Sequence, residues 1–220
     1  MLIKNSDRIV FAGDSVTDAG RAYPLGEGGD GLGRSYVHIV DNLLAAFYPE
    51  LRIRVTNAGI SGNTSRDLLA RFDKDVIALK PDIVSICIGI NDVWRQFDSP
   101  TIPDHQVMPD EYEKNVAAML EKLQSGPRDV FLMTPYYMEP NTSDAMRARM
   151  DEYGAACRRL SDVYGCHFIN LQAMFDRYFT FRHSCSIAWD RVHPNQIGAT
   201  LIAREFLSAC AFDFLHISNP

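Results

Sequence analysis

Residues 83–88 read IVSICI, and residues 89–92, which follow them, read GIND. The first stretch is apolar on both faces, which is typical of a parallel strand that is covered by helices on both sides. Four other short apolar runs are rich in β-branched residues and bounded by turn signals: residues 8–12, 53–56, 130–133 and 167–170. The sequence therefore predicts five strands, each followed by a turn.

Helical patterns separate and follow these strands. They cover residues 36–47, 65–79, 109–123, 144–164 and 194–212. The repeated alternation of strand and helix predicts a doubly wound α/β fold, a three-layer α/β/α sandwich around a five-stranded parallel sheet. No internal repeat, low-complexity tract or Pro/Ser linker divides the chain, so residues 1–220 are expected to form a single domain.

The composition is close to the average of globular proteins, with 46% hydrophobic and 23% charged residues among 220. The net charge is −6. Since phosphate binding needs a basic face, no nucleic-acid partner is expected. No run of about 18 apolar residues occurs, so no membrane-spanning segment is expected either.

Cysteine usage bears on the location of the protein. The sequence contains five cysteines and no C-x-x-C pair, whereas a secreted disulfide framework usually has an even number. The first residues, MLIKNSDRIVFAG, lack the apolar stretch of a signal peptide. We therefore expect a cytoplasmic protein with reduced thiols, whose substrate is made inside the cell or imported.

Polar, glycine-bearing turns follow the first three predicted strands, and a fourth polar segment precedes the last helix. They are residues 13–15 (GDS), 57–63 (NAGISGN), 89–92 (GIND) and 189–194 (WDRVHP). Any one of them alone is an ordinary turn. Because ligands bind beyond the carboxyl ends of the strands in doubly wound sheets, the four together predict a functional site at that edge.

The residue types in these turns are those that serine-dependent ester hydrolysis needs. A serine hydroxyl is a weak nucleophile that requires an adjacent base, an acceptor that orients the base, and fixed donors for the oxyanion. Ser15 is the candidate nucleophile, His193 the candidate base, and Asp190, three residues before it, the candidate orienting group. The backbone N–H groups of Ser15 and Gly62 and the side-chain amide of Asn91 are the candidate oxyanion donors.

These blocks resemble the signature of the SGNH (GDSL) hydrolase family. GDS at 13–15, ISGN at 60–63, GIND at 89–92 and DRVHP at 190–194 occur in the family's order and span nearly the whole chain. The resemblance implies a flavodoxin-like α/β/α fold and ester or thioester hydrolysis through an acyl-enzyme, without metal or cofactor. One departure is Val16, where many members have leucine; this position is a packing residue, so it leaves the resemblance intact.

Five longer stretches are similar to the bacterial acetylxylan esterases within that family. They are GDSVTDAGRAYPLGEG, NAGISGNTSRDLLARF, IGINDVWRQFD, LMTPYYMEP and WDRVHP. This similarity implies an intracellular enzyme that removes acetyl groups from imported xylo-oligosaccharides, with the acetylated sugar and water as its partners. Relatives of this type tend to be oligomeric, which together with the apolar tail residues Phe212, Phe214 and Leu215 predicts a homo-oligomer. The alternative for the tail is that it folds back onto its own core.

Other substrates and other functions stay open at this point. The same family also includes lysophospholipases and short-chain thioesterases or carboxylesterases, because loops change its substrates. A catalytically silent sugar-binding protein on the same fold is a rival from another class, and the intact Ser15, Asp190 and His193 argue against it.

Several further residues are candidate substrate contacts. Trp94, Trp189, Tyr136 and Tyr137 lie near predicted strand ends, where an aromatic face could receive a sugar ring; ordinary core packing is the alternative for each. Trp94 is favoured because it lies three residues after the candidate oxyanion asparagine. Asp14 is a further candidate contact, although it is expected chiefly to anchor its turn by accepting backbone N–H groups.

Two other sequence signals do not indicate a site. Residues 26–31 match G-x-G-x-x-G but do not follow a predicted strand, so they are expected to form a flexible loop beside the cleft rather than a nucleotide site. The remaining histidines show no spacing such as H-E-x-x-H, so no metal site is expected.

Overall fold

A computed structural model describes residues 1–216 as a single sheet with helices on both faces. The strands are β1 (Arg8–Gly13), β2 (Gly26–Glu27), β3 (Arg54–Gly59), β4 (Ile83–Cys87), β5 (Asp129–Met133) and β6 (His167–Ile169). The α-helices of this range are α1 (Ser15–Asp18), α2 (Tyr36–Phe47), α3 (Ser65–Asp75), α4 (Ile90–Asp98), α5 (Pro109–Leu123), α6 (Ala145–Tyr164), α7 (Leu171–Phe179) and α8 (Gln196–Ala209).

The strand order is β2-β3-β1-β4-β5-β6, and the five predicted strands run parallel. Over residues 1–216, the sheet has six strands and not the predicted five, because β2 pairs antiparallel with β3 and forms an edge strand. It lies within residues 26–31, which had been predicted to be a loop. Its Glu27 carboxylate accepts hydrogen bonds from Arg54 and Thr56 of β3, so side chains as well as backbone hold this short strand. Two residues are too few to show a strand period.

The sheet divides the core into two layers, as the sequence predicts for the central strands. Along β1, Ile9 and Phe11 face the cluster under α2, α7 and α8. Val10 and Ala12 face the opposite cluster, under α3, α5 and α6. All four side chains have no exposed surface. Alternate residues of one strand thus fill both cores, and this gives the α/β/α sandwich.

The predicted helices are present, with changes at their ends. The helix predicted over 65–79 ends at Asp75 and continues as a short 3₁₀ turn, Ile77–Leu79. The helix predicted over 194–212 begins at Gln196, since the Asn195 side chain accepts the N–H groups of the first turn, and it ends at Ala209. Helices α4 and α7 were not predicted, because each is only nine residues long and shows few helical repeats.

The C-terminal tail follows in part the alternative interpretation, in which it folds back onto its own core. Phe212 is buried and packs edge-on against Phe47 and Tyr48 of the same chain. Phe214 packs against Phe212 and is partly exposed, whereas Leu215 is 87% exposed. Of the three apolar tail residues, Phe212 therefore docks on the core of its own chain, whereas Leu215 does not. Within residues 1–216, none of the helices is both long and apolar enough to cross a bilayer.

Candidate active site

Ser15 lies where β1 turns into α1. Gly13 ends the strand, and a Cβ added there would lie 2.4 Å from the carbonyl oxygen of Cys87, so only glycine fits. Asp14 caps the helix, since its carboxylate accepts a hydrogen bond from the Val16 N–H at 3.0 Å. The chain turns sharply at this point and leaves Ser15 half-buried at the carboxyl edge of the sheet.

The hydroxyl of Ser15 is in hydrogen-bond contact with His193. Its Oγ lies 2.8 Å from Nε2 of His193, and Nδ1 of the same ring lies 2.6 Å from Oδ2 of Asp190. An ionised carboxylate only accepts hydrogen bonds, so Nδ1 of the neutral ring carries the proton. Nε2 then has a free lone pair directed at the Ser15 hydroxyl. The structure thus joins the three predicted residues into one hydrogen-bonded chain.

The carboxylate of Asp190 is held by its own loop as well. Its Oδ1 accepts hydrogen bonds from the backbone N–H groups of Val192 at 3.0 Å and His193 at 2.9 Å. Burial by itself raises the pKa of the Asp190 carboxyl, but the hydrogen bonds from His193 and Val192 outweigh it and hold the pKa below its usual value. The carboxylate is therefore ionised at neutral pH and acts as an acceptor for Nδ1 of His193.

The three candidate oxyanion donors lie at the ends of β1, β3 and β4, which are neighbours in the sheet. The Ser15 N–H opens α1 and has no acceptor within its helix. Gly62 has a φ of +82°, a left-handed conformation that favours glycine. Asn91 lies in the first turn of α4 rather than in the predicted loop, and its Nδ2 donates to the carbonyl oxygen of Asn63 at 3.0 Å.

The aromatic candidates fall into different environments. The half-buried Trp94 has its ring centroid 6.0 Å from that of His193, which makes it a wall of the site. Tyr136 is 2% exposed and packs against Phe175 at 4.6 Å between ring centroids, so its prediction as a substrate contact was wrong. Trp189 lies beside the candidate carboxylate in sequence but is 89% exposed.

Asp14 was also predicted as a substrate contact, and the structure corrects this. The side chain is 1% exposed and accepts a hydrogen bond from the Val16 N–H, which is the anchoring role chiefly expected of it. Burial raises the pKa of the Asp14 carboxyl to about 7, and the neighbouring Asp92 contributes in the same direction. The pKa of Asp92 is likewise raised to about 7 by burial.

Two further carboxylates hold the loop that carries Gly62: Asp92, for which an anchoring role was one of two interpretations of the sequence, and Asp18, which the sequence did not indicate. Asp18 accepts hydrogen bonds from the N–H and hydroxyl of Ser61, at 2.9 and 2.7 Å. Asp92 accepts from the N–H and hydroxyl of Ser65 at the start of α3. Neither aspartate stands at a spacing that indicates these acceptors, because each contact joins separate strand ends.

A cavity of about 300 Å³ opens beside Ser15. Its lining includes His193, together with Arg34, Ser35, Ser61 and Pro194. A larger cavity of about 540 Å³ lies between α6 and α7 and does not include the candidate site. Across residues 1–216, no group of three or more His, Cys, Asp or Glu side chains could hold a metal ion.

A doubly wound sandwich with a serine, a histidine and an aspartate hydrogen-bonded in series at its carboxyl edge defines the class of serine-type acyl hydrolases. The sequence model of the GDSL-like Lipase/Acylhydrolase family matches residues 11–201. The chain therefore belongs to that family and is a carboxylic ester hydrolase.

Several similar proteins align with this chain over nearly its full length. An acetylxylan esterase of Geobacillus stearothermophilus is 46% identical over 216 residues, which are 98% of this chain and 99% of that protein. A crystal structure of that esterase superposes with a TM-score of 0.96 at 46% identity and full coverage of both chains. An alpha/beta hydrolase from the metagenome of Lake Arreo matches with a TM-score of 0.93 at 46% identity, covering 96% of this chain and 98% of that one.

The buried carboxyl of Asp14 is expected to make stability depend on pH. Its pKa is raised from 3.8 to about 7 in the folded protein, so between these values the folded state holds a proton that the unfolded chain has released. The free energy of unfolding then falls as the pH rises through this window, by about 2–3 kcal/mol between pH 5 and 8. The variant Asp14→Asn keeps an acceptor for Val16 and is expected to lose that part of the slope.

Urea unfolding at pH 5 and pH 8 measures both free energies. The matched control is Asp73→Asn, which replaces a largely exposed carboxylate and is expected to leave the slope as in the wild type. An unchanged pH slope in Asp14→Asn would contradict the role of the buried carboxyl.

Proposed function

We propose that this protein is a serine esterase that removes acetyl groups from acetylated xylo-oligosaccharides or related sugars through an acyl-enzyme. The observation that carries the chemistry is the hydrogen-bonded series of Ser15, His193 and Asp190, with contacts of 2.8 and 2.6 Å. Solved catalytic mutants of the Geobacillus acetylxylan esterase, in which a serine, a histidine or an aspartate is replaced by alanine, support the same three residue types.

The first half of the reaction forms the acyl-enzyme. The Ser15 hydroxyl attacks the acetyl carbonyl carbon while Nε2 of His193 takes its proton. The oxyanion accepts hydrogen bonds from the N–H groups of Ser15 and Gly62 and from Nδ2 of Asn91. His193 then gives its proton to the sugar oxygen as the bond between that oxygen and the acetyl carbon breaks. The sugar leaves with a free hydroxyl, and Ser15 remains acetylated.

The second half releases acetate. A water molecule attacks the acetyl-serine carbonyl as Nε2 of His193 takes its proton, and the same donors receive the oxyanion. The ester bond to Ser15 breaks, the serine oxygen regains a proton from His193, and acetate departs. Throughout, the Asp190 carboxylate at 2.6 Å holds the ring orientation and stabilises the imidazolium.

Replacement of the nucleophile tests the mechanism. Ser15→Ala is expected to lower kcat on p-nitrophenyl acetate by roughly 10⁴- to 10⁶-fold, because the serine and its base act as one unit. The control is Ser143→Ala, an exposed serine on the loop before α6, which is expected to retain wild-type activity. Release of acetate by Ser15→Ala at the wild-type rate would refute the nucleophile and the triad built on it.

The acetylated sugar as substrate rests on the Geobacillus relative, whose name states that it is an acetylxylan esterase. The alternatives are a lysophospholipase and a short-chain thioesterase or carboxylesterase with the same catalytic groups. A series of p-nitrophenyl esters from acetate to octanoate separates them. If the enzyme is a deacetylase, we expect kcat/KM to fall at least about tenfold from acetate to butyrate, because a site selective for acetyl groups would reject each added methylene. Preference for longer acyl groups would favour the alternatives.

The sugar class is tested by acetate release from acetylated xylo-oligosaccharides and from peracetylated xylose and glucose, measured side by side.

We propose that Trp94 receives the sugar ring, because its own ring stands 6.0 Å from that of His193. Trp94→Ala is expected to raise KM for the oligosaccharide roughly 3- to 10-fold and leave KM for p-nitrophenyl acetate unchanged, since one ring contact contributes about 0.5–1.5 kcal/mol. Trp94→Phe keeps a ring and is expected to retain most of the affinity. Equal changes for both substrates would contradict a sugar contact.

We also propose that the protein is a cytoplasmic homo-oligomer. Phe181, Trp189 and Leu215 are 86%, 89% and 87% exposed, and large apolar side chains at the surface favour burial against a second copy. Light scattering after size exclusion is expected to give a multiple of the chain mass; a single-chain mass at all concentrations would contradict it. The five free cysteines support a reducing compartment, which cell fractionation tests.

A further inference from the structure

The position of the loop that carries Gly62 is set by contacts of the residues on either side of Gly62. A Cβ added at Gly62 would meet no atom within 4 Å, so no packing surrounds that face of the residue. A hydrogen-bond donor in an oxyanion site must nevertheless be held to within about 0.5 Å of its working position. Contacts elsewhere in the loop must therefore locate Gly62 relative to Ser15.

Arg71 of α3 makes contacts that join this loop to two strand ends. Its Nε donates to Oδ1 of Asn63 at 2.7 Å, directly after Gly62. One terminal nitrogen donates to the carbonyl oxygen of Ala58 at 2.8 Å, and the other donates to the carbonyl oxygen of Gly13 at 3.0 Å. The Arg71 side chain is 14% exposed and so lies largely out of water.

Arg71 has four acceptors, and one of them, the Asp75 carboxylate at 3.1 Å, lies in α3 itself. The other three belong to three functionally different segments. Gly13 precedes the turn that carries Ser15, and Ala58 is the penultimate residue of β3, just before the Gly62 loop. Asn63 also accepts, through its backbone carbonyl, the 3.0 Å hydrogen bond from Nδ2 of Asn91. One rigid, planar cation thus links the nucleophile turn, the Gly62 loop and, through Asn63, the amide of Asn91.

We propose that Arg71 is a positioning residue that sets the distance between the Ser15 turn and the oxyanion donors Gly62 and Asn91. This inference rests on the proposed function, because it concerns the donors of that reaction. Arg71 acts through Asn63 and the two strand-end carbonyls and does not itself touch the substrate. A lysine cannot replace it, since one ammonium nitrogen cannot reach acceptors on three segments with the geometry of a fork.

The test compares Arg71→Lys with Arg128→Lys, a matched control at the opposite edge of the sheet. Arg128 donates to the Asp7 carboxylate and the Leu2 carbonyl, away from the site. Activity on p-nitrophenyl acetate is expressed per active site, counted by the end-point release of p-nitrophenol from diethyl p-nitrophenyl phosphate. We expect kcat per site to fall roughly 10- to 100-fold in Arg71→Lys, as displacement of about 1 Å costs up to about 100-fold. KM and the midpoints of the pH profile should stay as in the wild type.

A purely structural role predicts a different result. The melting temperature and the number of titratable sites of Arg71→Lys would then fall, while kcat per site equals that of the wild type and of Arg128→Lys. That outcome overturns the proposal. Ser15→Ala separates this failure from failure of the proposed function, because an inactive Ser15→Ala enzyme with normal kcat in Arg71→Lys rejects only the role of Arg71.

Variants of Asn63 test the same link without removing a buried cation. Asn63→Ala removes the Oδ1 acceptor of Arg71 and is expected to lower kcat per site by roughly 3- to 10-fold, whereas Asn63→Asp keeps an acceptor and should stay within about twofold of the wild type. In the double variant Arg71→Lys/Asn63→Ala, the loss should be smaller than the product of the two single losses. A loss equal to that product means that the two residues act independently, and it overturns the proposed path through Asn63.

Discussion

The candidate site depends on the in-register pairing of three parallel strands. β1 pairs with β3 so that Gly13 stands opposite Gly59, and with β4 so that Gly13 stands opposite Cys87. The three strands therefore end at one level, and the turns that follow them share one edge of the sheet. Glycine at both positions permits this, because a Cβ at Gly59 would lie 2.4 Å from the backbone nitrogen of Asp18 in α1. Helix α1 can then pack directly on the end of β3.

The base reaches this edge from the far end of the chain, since Ser15 and His193 are 178 residues apart. The segment that carries His193 leads into α8, and α8 is fixed by the core. Phe206 of this helix packs edge-on against Phe11 of β1, with 4.8 Å between ring centroids, and against Phe131 of β5. The apolar layer on one face of the sheet thus sets where the base stands relative to the strand that carries the serine.

Ionisable side chains are buried at this edge of the sheet, where the loss of water disfavours their charged forms. Burial raises the pKa of the carboxyls of Asp14 and Asp92 and lowers the pKa of the Arg71 guanidinium, so each of these groups is held against its preference for water. Each of them forms hydrogen bonds to backbone groups of the turns, to Val16, Ser65 and the end of β3. The local loss of solvation is offset by bonds that keep irregular backbone in a single conformation.

The sequence by itself determined the order of the main strands and helices and the chemistry of the strand-end turns. An apolar run such as residues 83–88 indicates a buried strand, because several successive residues are apolar. Ser15, Asp190 and His193 are recognisable by residue type and spacing. Only the tertiary structure decided that residues 26–27 pair with β3, that Tyr136 lies in the core, and that Arg71 joins Gly13, Ala58 and Asn63. The physical reason is that each of these outcomes depends on distances between segments far apart along the chain. A periodic pattern records the environment of neighbouring residues and contains no such distances.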